Sequence, residues 1–103
     1  MRRGSTPTIT MTLPEEIPVS GVTAAILTIA QKGKEIIRKE LADFTVDATT
    51  NTLELPLSQE DTLALDKDII AEIQLKVKDE AEHVFPSDII RVPVDRILNE
   101  EVI

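Results

Sequence analysis

The chain has 103 residues, 11 basic against 19 acidic side chains for a formal charge of −8, no cysteine, one histidine, and neither tyrosine nor tryptophan. That length fits one domain spanning 1–103, with 1–5 read as an extended arm and 95–103 as a tail. Without cysteine there is no disulfide framework, thiolate zinc site or thiol nucleophile, and the acidic field disfavours nucleic acid and anionic lipid as partners.

The opening MRRGSTPT carries two arginines with no apolar stretch behind them, which does not fit a signal peptide. Nor does any apolar run approach the roughly 20 residues that span a bilayer, so no membrane insertion is expected. TPTITMTL then alternates strictly. Ile9, Met11 and Leu13 share one parity, and Thr6, Thr8, Thr10 and Thr12 share the other. This is the period of a half-buried strand, with the threonines on its wet side and Pro7 marking an edge.

PEEIPVSG, with Pro14, Pro18 and Gly21, reads as a loop. VTAAILTIAQ is apolar on both parities and predicts a central strand covered on both faces. Lys32-Gly33-Lys34 is a hairpin turn in which Gly33 can take positive φ. The return strand KEIIRKEL places Ile37 and Leu41 inward and Ile36 outward, and Phe44 and Val46 extend into a short extra strand. DATTN is turn composition. In TLELPL, Leu53, Leu55 and Leu57 face one way, while Pro56 removes a ladder donor and suggests an edge position.

SQEDTLAL breaks the alternation. Ser58 followed by Asp61 has the spacing of a helix cap, so one or two helical turns are expected, with Leu63 and Leu65 under the sheet edge. IIAEIQLKVK fits either a helical stripe or a strand. The strand is preferred because it buries Leu75 together with Ile73 and Val77, where a helix leaves it exposed. KDEAEH follows as a charged hairpin loop, and PSDIIRVPV is the last strand, with Ile90, Val92 and Val94 inward. Together these elements predict an all-β fold, an antiparallel two-sheet immunoglobulin-like sandwich of about six or seven strands with one short helical turn.

Reactive constellations are poorly represented. The three glycines are scattered, unlike a phosphate cradle. His83 lies near Ser87 and Asp88 in sequence, but neighbours along a strand point to alternating faces, and His83 reads as a solvated loop residue. For calcium, DKD (66–68) and DEAE (79–82) lack the alternating acid, Asn and Gly pattern of a binding loop. Phe44 and Phe85, the only aromatics, read as core plugs rather than sugar-stacking platforms. No catalytic, cofactor or metal residue is assigned.

The segment RRGSTPTITMTLP resembles the start of small structural proteins from tail modules of phages and prophages of Gram-positive bacteria. AQKGKEIIRKEL, LSQEDTLAL and SDIIRVPVDRILNEEVI are similar to further stretches of that family, while the two prolines of PEEIPVSG depart from it. The resemblance implies a non-enzymatic tail or baseplate component, in the virion or in the host cytoplasm during assembly, working through protein–protein contacts. Expected partners are other tail or baseplate proteins and copies of the chain itself, with Arg2, Arg3, Thr6, Thr8, Thr10 and Thr12 as contact residues. The competing expectation is a module for cell-surface glycan or a small ligand, with or without a need for calcium.

Overall fold

A computed structural model describes all residues, Met1–Ile103. Two antiparallel sheets pack face to face. The smaller has three strands in the order β1 (Thr8–Thr12), β5 (Thr52–Pro56), β4 (Thr45–Asp47). The larger has β3 (Lys34–Glu40), β2 (Val22–Gln31) and β6 (Ala71–Asp79) in that order, with β7 (Val84–Pro86) and β8 (Ile90–Val92) both pairing with β6. One short helix, α1 (Gln59–Leu63), turns the corner between the sheets. The fold is an all-β sandwich, and none of its helices is long and apolar enough to cross a membrane.

The alternation seen in the sequence sets the core. Met11 and Leu13 at β1 and Leu53, Leu55 and Leu57 around β5 meet Leu27, Ile29, Ile73, Leu75 and Val77 of the larger sheet, all buried. The segment 71–79 resolves to a strand for the reason given above: its odd positions 71 to 77 are all buried and its even positions are not. At the β2–β3 hairpin both central residues are left-handed, Lys32 at φ 52° and Gly33 at φ 74°. That is the twist-matched turn for a two-residue connection, and glycine supplies its second position without strain.

Five expectations need correction. First, β2 is covered on one face only. Ile26, Thr28 and Ala30 are half-buried because the fold has no third layer. Their shelter comes instead from cross-strand neighbours such as Arg38 and Gln74 beside Thr28, and Lys76 beside Ile26. Second, Ile36 packs against the core rather than facing out. The register passes from Ile29↔Ile37 to Ala30↔Glu35, leaving Ile36 as the extra residue of a β-bulge that tilts it inward.

Third, β5 is the centre of its sheet, not an edge. Leu57 donates its N–H to Pro7 on the β1 side, so the neighbouring Pro56 nitrogen faces the β4 side, beyond the last β4 pairing at Thr45↔Glu54. A proline there interrupts no ladder. Fourth, eight strands form rather than six or seven. The expected strand over 86–94 is divided at Ser87: its N–H still donates to the Leu75 carbonyl at 2.7 Å, but its Oγ, in place of its carbonyl, accepts from the Leu75 N–H at 3.0 Å. Beyond this break Ile90 is exposed, Val92 is half-buried and Val94 alone is fully buried.

Fifth, residues 1–5 do not extend as an arm. Arg2 forms an isolated parallel bridge with Asp95, and Arg3 N–H donates to the Asp95 carbonyl at 3.0 Å. Gly4, at φ +77°, lets the chain turn where a Cβ would meet Ile97 Cδ1 at 2.7 Å. The segment 95–103 holds one bridge residue, Asp95, and otherwise runs irregularly, tied by Gln59 to the Ile103 backbone.

Candidate interaction edge and cleft

β1 pairs only with β5, so one of its edges is free. Leu13 donates to the Asn51 carbonyl and Leu57 to the Pro7 carbonyl, both at 2.9 Å. The odd residues of β1 therefore exchange backbone hydrogen bonds with β5. By alternation, the N–H and C=O groups of Thr8, Thr10 and Thr12 point away from the sheet. Their side chains, together with Thr6, are exposed on the outer face. Each of these threonines thus serves the surface twice, with a hydroxyl above the sheet and, for the three within β1, a backbone donor and acceptor along its rim.

The other sheet edges are guarded. β3 carries Lys34, Glu35, Arg38, Lys39 and Glu40 and a bulge. β4 is three residues long and contains Asp47. The β7–β8 edge is broken into two short pieces and bears Pro86 and Arg91. Charges, prolines, bulges and short length are the devices by which edge strands avoid pairing with other chains. β1, Thr-Ile-Thr-Met-Thr, has none of them within its span.

Beside the C-terminal end of β1 the two sheets part to leave a cleft of about 380 Å³, between Met11 and Leu13 on one side and Leu75, Val77 and Phe85 on the other. Pro14 and Asp88 stand among its lining residues. Sequence reasoning did not find the cleft. Its walls are core residues of ordinary parity, and only the spacing of the two sheets makes a gap between them.

Arg2 and Arg3 separate in role. Arg2 is exposed, and its guanidinium donates to the Arg96 carbonyl at 2.9 Å. Arg3, with a side chain only 16% exposed, donates to the carbonyls of Leu65 and Leu63 at 2.7 and 2.9 Å and pairs with Glu100. It closes the open C-terminal end of α1, whose last carbonyls need donors and favour positive charge. Of the six expected contact residues, the four threonines and Arg2 are at the surface, and Arg3 is committed inside the molecule.

The reactive candidates are likewise engaged in local structure. Ser87 Oγ donates to the Asp88 carbonyl at 2.9 Å while accepting from Leu75, and it shares no hydrogen bond with His83. The His83 ring is exposed and lies 3.4 Å from Asp79. Asp79 in turn accepts the Ala81 and His83 N–H groups, both at 2.9 Å, and so closes its own loop. No three His, Asp or Glu side chains converge as a metal-holding group.

The titration of Asp61 is displaced downward. Burial pushes it up, but the Ser58 N–H, the Lys39 ammonium at 3.2 Å and the Ser58 hydroxyl outweigh that and hold it below the usual carboxylate range. This is helix-capping chemistry. Ser58 and Asp61 form a reciprocal capping box at the start of α1.

No protein-family model matches the chain, and a search of curated proteins returns no match either.

Proposed function

We propose that the chain is a non-enzymatic structural or assembly domain of a phage or prophage tail or baseplate region, acting through protein–protein contacts. The observation that carries the contact reading is the unguarded β1 edge, in a protein whose other edges are all protected. The tail-module assignment rests on the resemblance of RRGSTPTITMTLP and the three further stretches to that family. Tagged protein produced in a Gram-positive lysogen during induction is expected to sediment with purified tail particles and to cross-link to a tail or baseplate protein. Recovery only from the soluble fraction, with no tail protein cross-linked, overturns the proposal.

One observation favours a second reading, the binding of a cell-surface glycan fragment or other small ligand. The cleft of about 380 Å³ falls within the size range of small-molecule sites, and Thr12, Ser87 and Asp88 place polar groups among its apolar walls. Melting the protein with calcium, with chelator and with wall sugars tests it. A binder that prefers the folded state must raise the midpoint, and an unchanged midpoint at millimolar ligand removes this reading.

A further inference from the structure

We propose that two copies of this chain pair edge to edge through β1, antiparallel about a two-fold axis at Thr10, so that their three-stranded sheets join into one. This deepens the assembly reading above and rests on it. The outward N–H and C=O groups of Thr8, Thr10 and Thr12 are the pairing groups. With Thr10 on the axis, Thr10 faces the partner's Thr10 and Thr8 faces the partner's Thr12. About six inter-chain hydrogen bonds then form, two for each facing pair.

An isologous interface must be self-complementary, each patch meeting a copy of itself. That condition selects a second copy as the occupant of this edge. Thr-Ile-Thr-Met-Thr reads threonine, apolar, threonine, apolar, threonine from either end, so antiparallel pairing sets hydroxyl against hydroxyl and apolar against apolar. Residues that face each other across antiparallel strands also lie on the same side of the sheet. The partner's Met11 therefore falls opposite Ile9, which is only half-buried in one chain, and the partner's Ile9 falls opposite Met11 at the cleft wall.

Charge points the same way. The protein carries a net −8, which opposes self-association through most of its surface. β1 contains no charge, so a copy docking there brings no like charges face to face. Because no ion pair is formed and the distant acids repel, the pairing tightens as salt rises and screening shortens the range of repulsion. Docking through the arginines of the opening segment predicts the reverse, weakening with salt.

The test is sedimentation equilibrium of the full chain up to about 1 mM, at low and high salt, alongside two-dimensional amide spectra. Dimerisation is expected to tighten with salt and to slow exchange at the amides of Thr8, Thr10 and Thr12, while those of Ile9 and Met11, already bonded to β5, change little. Thr10→Pro removes an outward N–H without touching the β1–β5 ladder, and is expected to weaken the dimer by about tenfold or more. Should that variant fold poorly, a charge pair keeps the question open to experiment. Thr10→Lys and Thr10→Glu each set like charges opposite one another and weaken self-pairing by about tenfold, and mixing the two restores a dimer, now mixed.

A strict monomer across the concentration range overturns the proposal. So does a dimer that neither Thr10→Pro nor the Lys and Glu variants affect, because its interface then lies elsewhere. Neither result decides the tail assignment, which depends on co-sedimentation with tail particles. A dimer whose protein never enters those particles separates the two in the opposite sense.

Discussion

Arg3 donates its Nε–H to the Leu65 carbonyl at 2.7 Å, joining the start of the chain to the segment just beyond α1 across 62 positions of sequence. A second donation reaches Leu63, so one guanidinium serves two carbonyls of the corner. Arg3→Ala leaves those acceptors without a partner in a part-buried setting and is expected to destabilise the protein by about 2 kcal/mol. Arg3→Lys recovers only part of this, since an ammonium lacks the planar fork that reaches both carbonyls. Urea denaturation of the three proteins checks the order wild type, lysine, alanine.

The Asn51 side chain holds the loop after β1. Its amide donates to the carbonyls of Leu13, Pro14 and Ile17 at 3.0, 3.1 and 3.2 Å, while Oδ1 accepts from the Val19 N–H at 2.7 Å. Its backbone is left-handed, φ 55°, a conformation asparagine tolerates better than most residues. Asn51→Ala is expected to cost about 2–3 kcal/mol. Asn51→Asp is informative because it keeps the acceptor but sets a carboxylate against three carbonyls. It should be at least as damaging as alanine at neutral pH and recover on acidification, as followed by chemical denaturation.

Gln31 is the buried polar residue at the end of β2, 3% exposed. Its amide donates to the Asp66 and Ile69 carbonyls at 2.8 and 3.0 Å, and its oxygen accepts from the Asp66 N–H at 2.8 Å. Gln31→Leu keeps the volume and removes all three bonds, so a loss of about 2 kcal/mol is expected. Hydrogen exchange should then locate the new opening at residues 66–70 rather than in the sheet.

Asp61 makes a prediction about pH. Its carboxyl titrates below the ordinary range in the folded protein, so the unfolded chain takes up a proton first as pH falls. The stability Asp61 contributes is therefore fully present above about pH 4, the unfolded value, and is lost as pH drops through the lower folded value. Asp61→Asn should be less stable than wild type at pH 7, with the gap closing in acid. Ser58→Ala, which removes the reciprocal cap, should cost about 1 kcal/mol. Urea midpoints at a series of pH values measure both effects.

Parity carried most of the legible structure. Leu53, Leu55 and Leu57, or Ile73, Leu75 and Val77, announce a buried face because a strand has period two and the sandwich covers one side of each sheet. Ser58 and Asp61 announced α1 because capping is a local interaction. What parity could not supply was the lateral order of strands. Pro56 suggested an edge because the orientation of its nitrogen depends on which neighbour lies on which side, and that is a tertiary fact. Ile36 was misplaced by a bulge that shifts the count by one residue, and Arg3 by carbonyl partners some sixty positions away. For the candidate site, the threonine face was readable in Thr8, Thr10 and Thr12. Pro7 likewise marked β1 as an edge strand, whereas the cleft was not legible, because it is a gap between elements distant in sequence.

The bridge between Arg2 and Asp95 has a kinetic consequence. It closes a loop of nearly the whole chain and brings little hydrophobic burial of its own, Arg2 and Asp95 both being exposed. Ordering so long a loop costs entropy that only a preassembled sandwich can offset. The seam therefore forms late in folding and parts early in unfolding, and the amides of Arg3 and Asp95 should exchange with solvent well before those of Leu27 or Ile73. Tightening it, by a covalent link or a stronger pair, should slow unfolding while leaving the folding rate almost unchanged.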